Sequence, residues 1–489
     1  MPLFPLVPRA LRRAWRPALA FACLGFGVGS PAAIVTPLSS LAPAAAPGDH
    51  ADRSCGPTGL PAAALVPPAL LGAEDFAADP CADLIGHMAQ FTLRARGPGA
   101  DDVDPPTLRV ESLDLLEVRV AEMEAVRQLR AMGSAATAGG AAAASLKHTG
   151  STLASVVTRP VESVVGLPAG ALRFFGRRAA TLGRQAADVG ERTVEAFEDD
   201  AGFDTALRPR HAEPLPPEPE PWWRKGGGAA MKLGKRWLGY NAARRDLGQR
   251  LGIDPYSSNP WLNAEMDRLA WSALVGRRGV GLGLGQIGGA AGITLGEAGR
   301  IHRMVWEKPP EEVTAWNAAR LAPLACSPEA QDAFFDNARY SPTLQTQAVD
   351  ALLELVPQRG CDDFLALAAS IEREAEARYV VDLLHLLVAA RPRFPTRFEP
   401  AGEALVLRDG EERLWLALPV DLLQWTPETA AFFGATAFDA VIDKRALLGR
   451  EASPRARAAL LDRGWTVVEH GIGPAREAAA RQTRELVGF

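Results

Sequence analysis

The chain has 489 residues, 47% of them hydrophobic and 23% charged. At ~150 residues per domain that length allows about three domains, and the composition excludes a wholly disordered chain. The 58 acids and 53 bases leave a net charge of −5, which speaks against a uniformly basic nucleic-acid binder.

The first segment is a leader by pattern. Arg9, Arg12, Arg13 and Arg16 precede an apolar run from Pro17 to about Val28, and no acid occurs before Asp49. A basic start, a short apolar run and small residues afterwards describe a secretory signal peptide over residues 1–46. Ala42-Pro43-Ala44 supplies an A-x-A cleavage site. The alternatives are an uncleaved N-terminal anchor and, at Ala20-Phe21-Ala22-Cys23, a degenerate lipidation box. Cleavage removes Cys23 and leaves Cys55, Cys81, Cys326 and Cys361, an even set that suits disulfides in an exported chain. The local pairing is favoured, because Cys326 and Cys361 bracket a helical pair that a bridge would clip at its base, worth ~3 kcal/mol.

Residues 55–132 read as a small α+β region. Phe91–Ala95 and Leu108–Glu111 alternate like strands, and Leu116, Val120, Met123, Val126 and Leu129 then fall on one helical face. The Ala/Gly stretch Gly133–Ala144 is a linker or a weak helix. Amphipathic helices follow over 145–211, and the run Glu213–Pro221 makes 212–221 a semi-rigid Pro-rich spacer.

Basic helices and a Gly-rich segment occupy 222–300. From Trp222 to Arg250 there are eight bases against Asp246 alone, whereas residues 301–390 hold seven bases and fourteen acids. The chain's near-neutrality therefore hides a basic middle and an acidic helical bundle over 301–392. Within the bundle, Ser327-Pro328 and Ser341-Pro342 have the chemistry of helix starts. The last region, 393–489, reads as a C-terminal α/β region. It has a hairpin over Ala404–Leu418, a strand at Phe438–Ile442, a helix opened by Ser453-Pro454 and a strand at Trp465–Glu469. The expected fold is mainly α and multi-domain, α+β overall. It is a helical bundle with a small N-terminal β-hairpin/helix region and a C-terminal α/β module.

Two features suggest contact with an anionic membrane surface. Arg173, Phe174, Phe175, Arg177 and Arg178, and then Trp222, Trp223, Lys232, Lys235, Arg236 and Trp237, combine basic and apolar residues as interfacial helices do. Solvated basic faces, or pairing with the acidic bundle, are the plainer alternative. Gly281-Gly285-Gly289 and Gly288-Gly292-Gly296 form two ladders of four-residue steps that would let a partner helix approach closely. Gly283–Gly288 also matches G-x-G-x-x-G, but the helical, arginine-bearing stretch before it lacks the strand that a dinucleotide site needs.

Catalytic signals are sparse. No G-x-S-x-G, S-x-x-K or P-loop occurs, and the seven histidines make no close metal-binding pair. Asp382 and His385 share a helical face, but a bundle metal site needs such pairs from two helices. His470 is the best lone acid–base candidate, and Asp362-Asp363 suits a helix start. No cofactor, metal or nucleic-acid partner is expected, and the catalytic residues are unknown. The sequence reads as an exported envelope protein, in the periplasm or on the periplasmic face of a membrane. Its expected role is binding or scaffolding. An exported hydrolase with its site in the C-terminal α/β region is the alternative, and a secreted effector a third.

Overall fold

The computed structural model describes residues 59–85, 87–96, 106–138, 218–224, 234–275, 301–324, 326–401, 404–473 and 475–476, with Cys55 and Asp204. The leader with Cys23, both glycine ladders and the 145–211 helices, Asp204 excepted, lie outside the described residues. So do Arg173, Phe174, Phe175, Arg177, Arg178 and Lys232.

The N-terminal unit is a sheet backed by helices. β1 (Gly59–Pro61), β2 (Phe76–Ala78), β3 (Cys81–Ile85), β4 (Met88–Ala95) and β5 (Thr107–Val110) pair antiparallel around the long β4. A four-residue helix α1 (Ala62–Leu65) follows β1. Helix α2 (Leu113–Ala138) carries the apolar face read from the sequence, with Leu116, Met123, Val126 and Leu129 buried. It continues through Gly133 into the Ala-rich stretch. α3 (Gly234–Leu251) and α4 (Pro260–Val275) pack beside it, so Leu247, Leu251, Leu262 and Met266 share one core with Phe91 and Leu116. The disulfide Cys55–Cys81 (S–S 2.03 Å) ties the entry of this unit to β3. β1, β2 and β3 are additions to the two strands read from the sequence.

The bundle comprises α5 (Arg303–Glu307), α6 (Pro310–Leu321), α7 (Pro328–Asp336), α8 (Pro342–Leu355), α9 (Cys361–Ala369) and α10 (Glu374–Ala390). Ser327 and Ser341 cap α7 and α8, each hydroxyl accepting the amide three residues on. Asp362, in the first turn of α9, accepts the Ser327 amide at 2.7 Å. The Cys326–Cys361 disulfide, with Cα atoms 5.4 Å apart, joins the starts of α7 and α9. Gly360 before α9 has φ +76°, and a Cβ there would lie 2.1 Å from the Phe398 carbonyl oxygen.

The C-terminal sheet runs in the order β12-β10-β8-β7-β6. β6 (Arg397–Ala401), β7 (Ala404–Arg408) and β8 (Leu414–Leu418) are antiparallel neighbours. β8, β10 (Lys444–Leu448) and β12 (Trp465–Val468) are parallel. The short β9 (Leu422–Leu423) and β11 (Glu451–Ala452) pair parallel beside them. α11 (Pro427–Phe433) and α12 (Pro454–Asp462) lie in the crossovers, α12 capped by Ser453. β8 is buried along its whole length, and α10 packs on β8 and β10. The apolar core therefore continues from the bundle into the sheet, with Leu352, Leu384, Leu416 and Leu448 in one cluster.

One strand differs from the reading. Phe438 ends a short 3₁₀ turn and packs on Trp465 with ring centroids 5.1 Å apart, while Ile442 is 98% exposed. The strand starts two residues later. Its opening Lys444-Arg445 reads as polar, but the Lys444 ammonium donates to the Phe438 carbonyl at 3.2 Å and Arg445 donates to Asp443 at 3.0 Å. The molecule is thus a mixed α+β protein, and no helix among its described residues is long and apolar enough to cross a membrane.

Candidate functional site

Parallel strands gather chemistry at their carboxyl ends, where the following loops converge. Here those loops are Pro419–Asp421 after β8, Gly449–Arg450 after β10 and Glu469–Ile472 after β12. A Cβ on Gly449 would lie 2.9 Å from the Pro419 Cα, so glycine lets the first two loops touch. Between them, α10 and the start of α2 lies a narrow cleft bordered by Asp421, Arg450, Arg476, Arg378, Asp382 and Asp114. It has room for about one water molecule.

Asp421 is the most telling of these groups. Its Oδ2 accepts the amides of Ala89 (2.8 Å) in β4 and Leu113 (3.1 Å), the first residue of α2. Burial pushes its carboxyl up to about 7, even though those two hydrogen bonds favour the charge. Beside it, the β3–β4 turn plugs into the same loop. The His87 carbonyl accepts the amides of Asp421 (2.9 Å) and Leu422 (3.1 Å). Its Nδ1 accepts the Gln424 amide at 3.3 Å, and its Nε2 lies 3.3 Å from the Thr429 hydroxyl. Burial pulls this imidazole down to about 4, so it is neutral at pH 7.

The remaining charges are paired with one another. Arg476 donates from Nε to Asp382 at 3.0 Å, also pairs with Asp114, and lies 3.5 Å from Glu117. Burial opposes the charge on Asp382, but Arg476 outweighs it and holds the carboxyl well below the usual range. Arg450 pairs with Glu117. Glu374 is held at about 2: burial would raise it, and Arg119 and Arg378 prevail. Arg119 reaches Glu374 at 2.8 Å and Arg378 reaches it at 3.0 Å. On the far side of Arg378 a second cleft is bordered by Glu122, Asp254 and Gln347. Burial lifts Asp254 to about 6, although its hydrogen bond from the Tyr256 amide lowers it.

The described end of the Pro-rich spacer is packed rather than extended into solvent. Glu218 accepts the Glu374 amide at 3.0 Å, and Arg339 donates to the carbonyls of Glu218 and Pro219, each at 3.1 Å. Burial, with Glu374 nearby, raises Glu218 to about 7. Asp204 makes a similar attachment: its carboxylate accepts the Trp425 amide at 2.7 Å and bonds the Ser453 hydroxyl.

The expected residues fall in different places. Trp222 stacks on Tyr256 (centroids 5.7 Å apart), Trp223 meets the same ring edge-on, and the Arg244 guanidinium sits 4.1 Å over Trp222. Both tryptophans are thus half-buried within the protein. Lys235, Arg236 and Trp237 lie on α3, their side chains outside the described residues. His385 Nδ1 is 3.8 Å from Asp382, but Arg476 occupies the Asp382 carboxylate, so the pair belongs to an ion-pair network. His470 has φ +56° and an exposed side chain 3.6 Å from Glu451, beside the strand-end loops but outside the cleft. Among the described residues no group of three or more His, Cys, Asp or Glu side chains is arranged to hold a metal.

Asp421 and Arg476 belong to no sequence motif, His87 is one of seven scattered histidines, and Glu374 stands out in the sequence only as a carboxylate upstream of Asp382 and His385. Asp421 had one local signal, a carboxylate directly after the buried run Leu414–Val420. No protein family, curated protein or solved structure matches the chain.

Proposed function

We propose that the chain is an exported cell-envelope protein that binds or scaffolds at the periplasmic membrane surface without catalysis. Its partner would be an anionic membrane surface or another envelope protein. In this reading it is mainly α, a helical bundle carrying a C-terminal α/β module and a small N-terminal unit. The observation that carries the reading is how the ionisable groups at the strand ends are used. Asp382, Arg476, Asp114, Glu117 and Arg450 bond one another across segments far apart in sequence, which joins parts of the fold together. Two disulfides suit an oxidising compartment. Fractionation of cells expressing the full chain tests it. Release of the membrane-bound protein by salt or alkaline carbonate supports surface attachment, and recovery wholly in the soluble periplasm or cytoplasm contradicts it.

An exported hydrolase is the second reading, favoured by one feature. Asp421 lies at the carboxyl end of a parallel strand, and burial holds it at about 7, where a general acid–base group works best. Hydrolysis of ester, phosphate or glycoside substrates by the wild type, lost in Asp421→Asn, would favour it over the scaffold.

A further inference from the structure

We propose that the N-terminal unit is a releasable module, clasped by a charged seam to the C-terminal unit formed by the bundle and the C-terminal sheet, and able to part from it while both stay folded. The two units have separate apolar cores. One contains Phe91, Leu116 and Val126 with Leu251 and Leu262, and the other Leu352, Leu384 and Leu416. Met88 packs on the C-terminal core and Leu422 on the N-terminal one, and Val118 and Ala121 of α2 share the border of the second cleft with Leu344.

The seam itself is ionic. Glu111, just before α2, and Asp114 and Glu117 in its first turns are spaced three residues apart. They meet Arg373, Arg476 and Arg450, which come from three different segments of the C-terminal unit. Arg119, two residues further on, reverses the polarity and meets Glu374. Two water-sized clefts flank Arg378 within this joint, so the seam is not sealed. The His87–Asp421 clasp adds hydrogen bonds and little apolar area.

Next to the seam, where Arg119 reaches Ser257 and Ser258, lies an apolar attachment that would act as the pivot. Tyr256, Ile301, Val305 and Val313 cluster with Trp222, Trp223 and Trp306, and the Trp306 indole donates to the Ile253 carbonyl at 3.0 Å. Such a joint responds to conditions that leave apolar cores intact. The screening length falls from ~10 Å at 0.1 M salt to ~3 Å at 1 M, so salt acts first on the half-exposed Arg450–Glu117 pair. The buried pairs of Arg119, Arg373 and Arg476 are screened much less and part only once that edge has opened. Inter-domain contacts that are polar and wet are also the ones that open first. Asp421 adds a proton-linked element. Around it stand Asp114 from α2, Arg378 and Asp382 from α10, His87 from the β3–β4 turn, and Arg450 and Arg476, the last two also facing Glu117. Its carboxyl is raised to about 7 by burial, so opening above that pH lets an uncomfortable charge reach water.

Hydrogen exchange read by mass spectrometry on the full, disulfide-bonded chain tests this at fixed pH, from about 0.05 to about 1 M NaCl. The amides held across the seam, those of Ala89, Leu113, Asp421, Leu422 and Gln424, should gain exchange together, by about tenfold or more, while 91–94, 344–352 and 383–387 stay protected. Arg450→Gln, at the solvent edge of the seam, should produce the same local gain at low salt without touching either core. Seam segments that exchange only together with the cores, or at a rate indifferent to salt and to Arg450→Gln, would overturn the proposal.

Discussion

Asp421 Oδ2 accepts the amide of Leu113 at 3.1 Å, across 308 residues of chain. A carboxylate from one unit thereby meets the N-terminus of the other unit's long helix, where the helix dipole favours negative charge. Burial opposes that charge and sets the group near neutrality, which gives the fold a definite pH response.

That response has a sign. Asp421 and Glu218 are raised to about 7 and Asp254 to about 6, all above their unfolded values. Their contribution is fully present below about pH 4 and is lost as pH rises through 6 to 7, at up to ~1.4 kcal/mol per pH unit for each group. His87, lowered to about 4, works the other way between pH 6.5 and 4, but it is one group against three. The thermal midpoint should therefore rise on going from pH 8 to pH 5, and Asp421→Asn should flatten part of that slope. A wild-type midpoint indifferent to pH in this window would contradict the assignment.

Below about pH 4 the order reverses. Glu374 is held at about 2, and Asp382 also lies well below its unfolded value, so the stability these groups contribute is lost as acid protonates them. Arg476→Met removes the partner of Asp382 and Asp114. Stranding buried carboxylates in this way typically costs ~3–5 kcal/mol, measurable by urea unfolding at pH 7. The double variant Arg476→Met/Asp382→Asn should recover part of the loss, and no recovery would show that the Arg476 effect is not ionic.

The Cys326–Cys361 bridge closes 35 residues between the starts of α7 and α9. Replacing both cysteines by serine should cost ~3 kcal/mol and lower the thermal midpoint of the bundle. A midpoint unchanged by the double replacement would mean that the bridge constrains little.

His87 joins the units through its ring as well as its backbone. His87→Ala leaves the Gln424 amide without its acceptor and empties buried volume, and should cost ~2–4 kcal/mol by the same urea assay. A loss below ~0.5 kcal/mol would place the joint's strength elsewhere.

What could be read from residue order was local. Ser327, Ser341 and Ser453, each followed by proline, mark the helix starts observed, because capping and proline preference act within four residues. The 3.6 periodicity of Leu116, Met123 and Val126 gave α2 for the same reason. β1 to β3 were hidden, being short, rich in Ala, Gly and Pro, and held by partners and a disulfide. β10 was misplaced because its buried strand opens with Lys444-Arg445. The seam was illegible in principle. Arg119 and Glu374 are 255 residues apart and Asp421 and Ala89 are 332, so only the completed topology brings them together.

The proposed envelope role requires export into an oxidising compartment, and thiol accounting on the purified protein tests that export most directly. The protein would be alkylated before and after reduction, and its intact mass and N-terminus read together. The account predicts a chain that begins after Ala44, lacks Cys23, takes up no label before reduction and takes up label at Cys55, Cys81, Cys326 and Cys361 afterwards. A chain that keeps its first residues and labels at all its cysteines without reductant would contradict it.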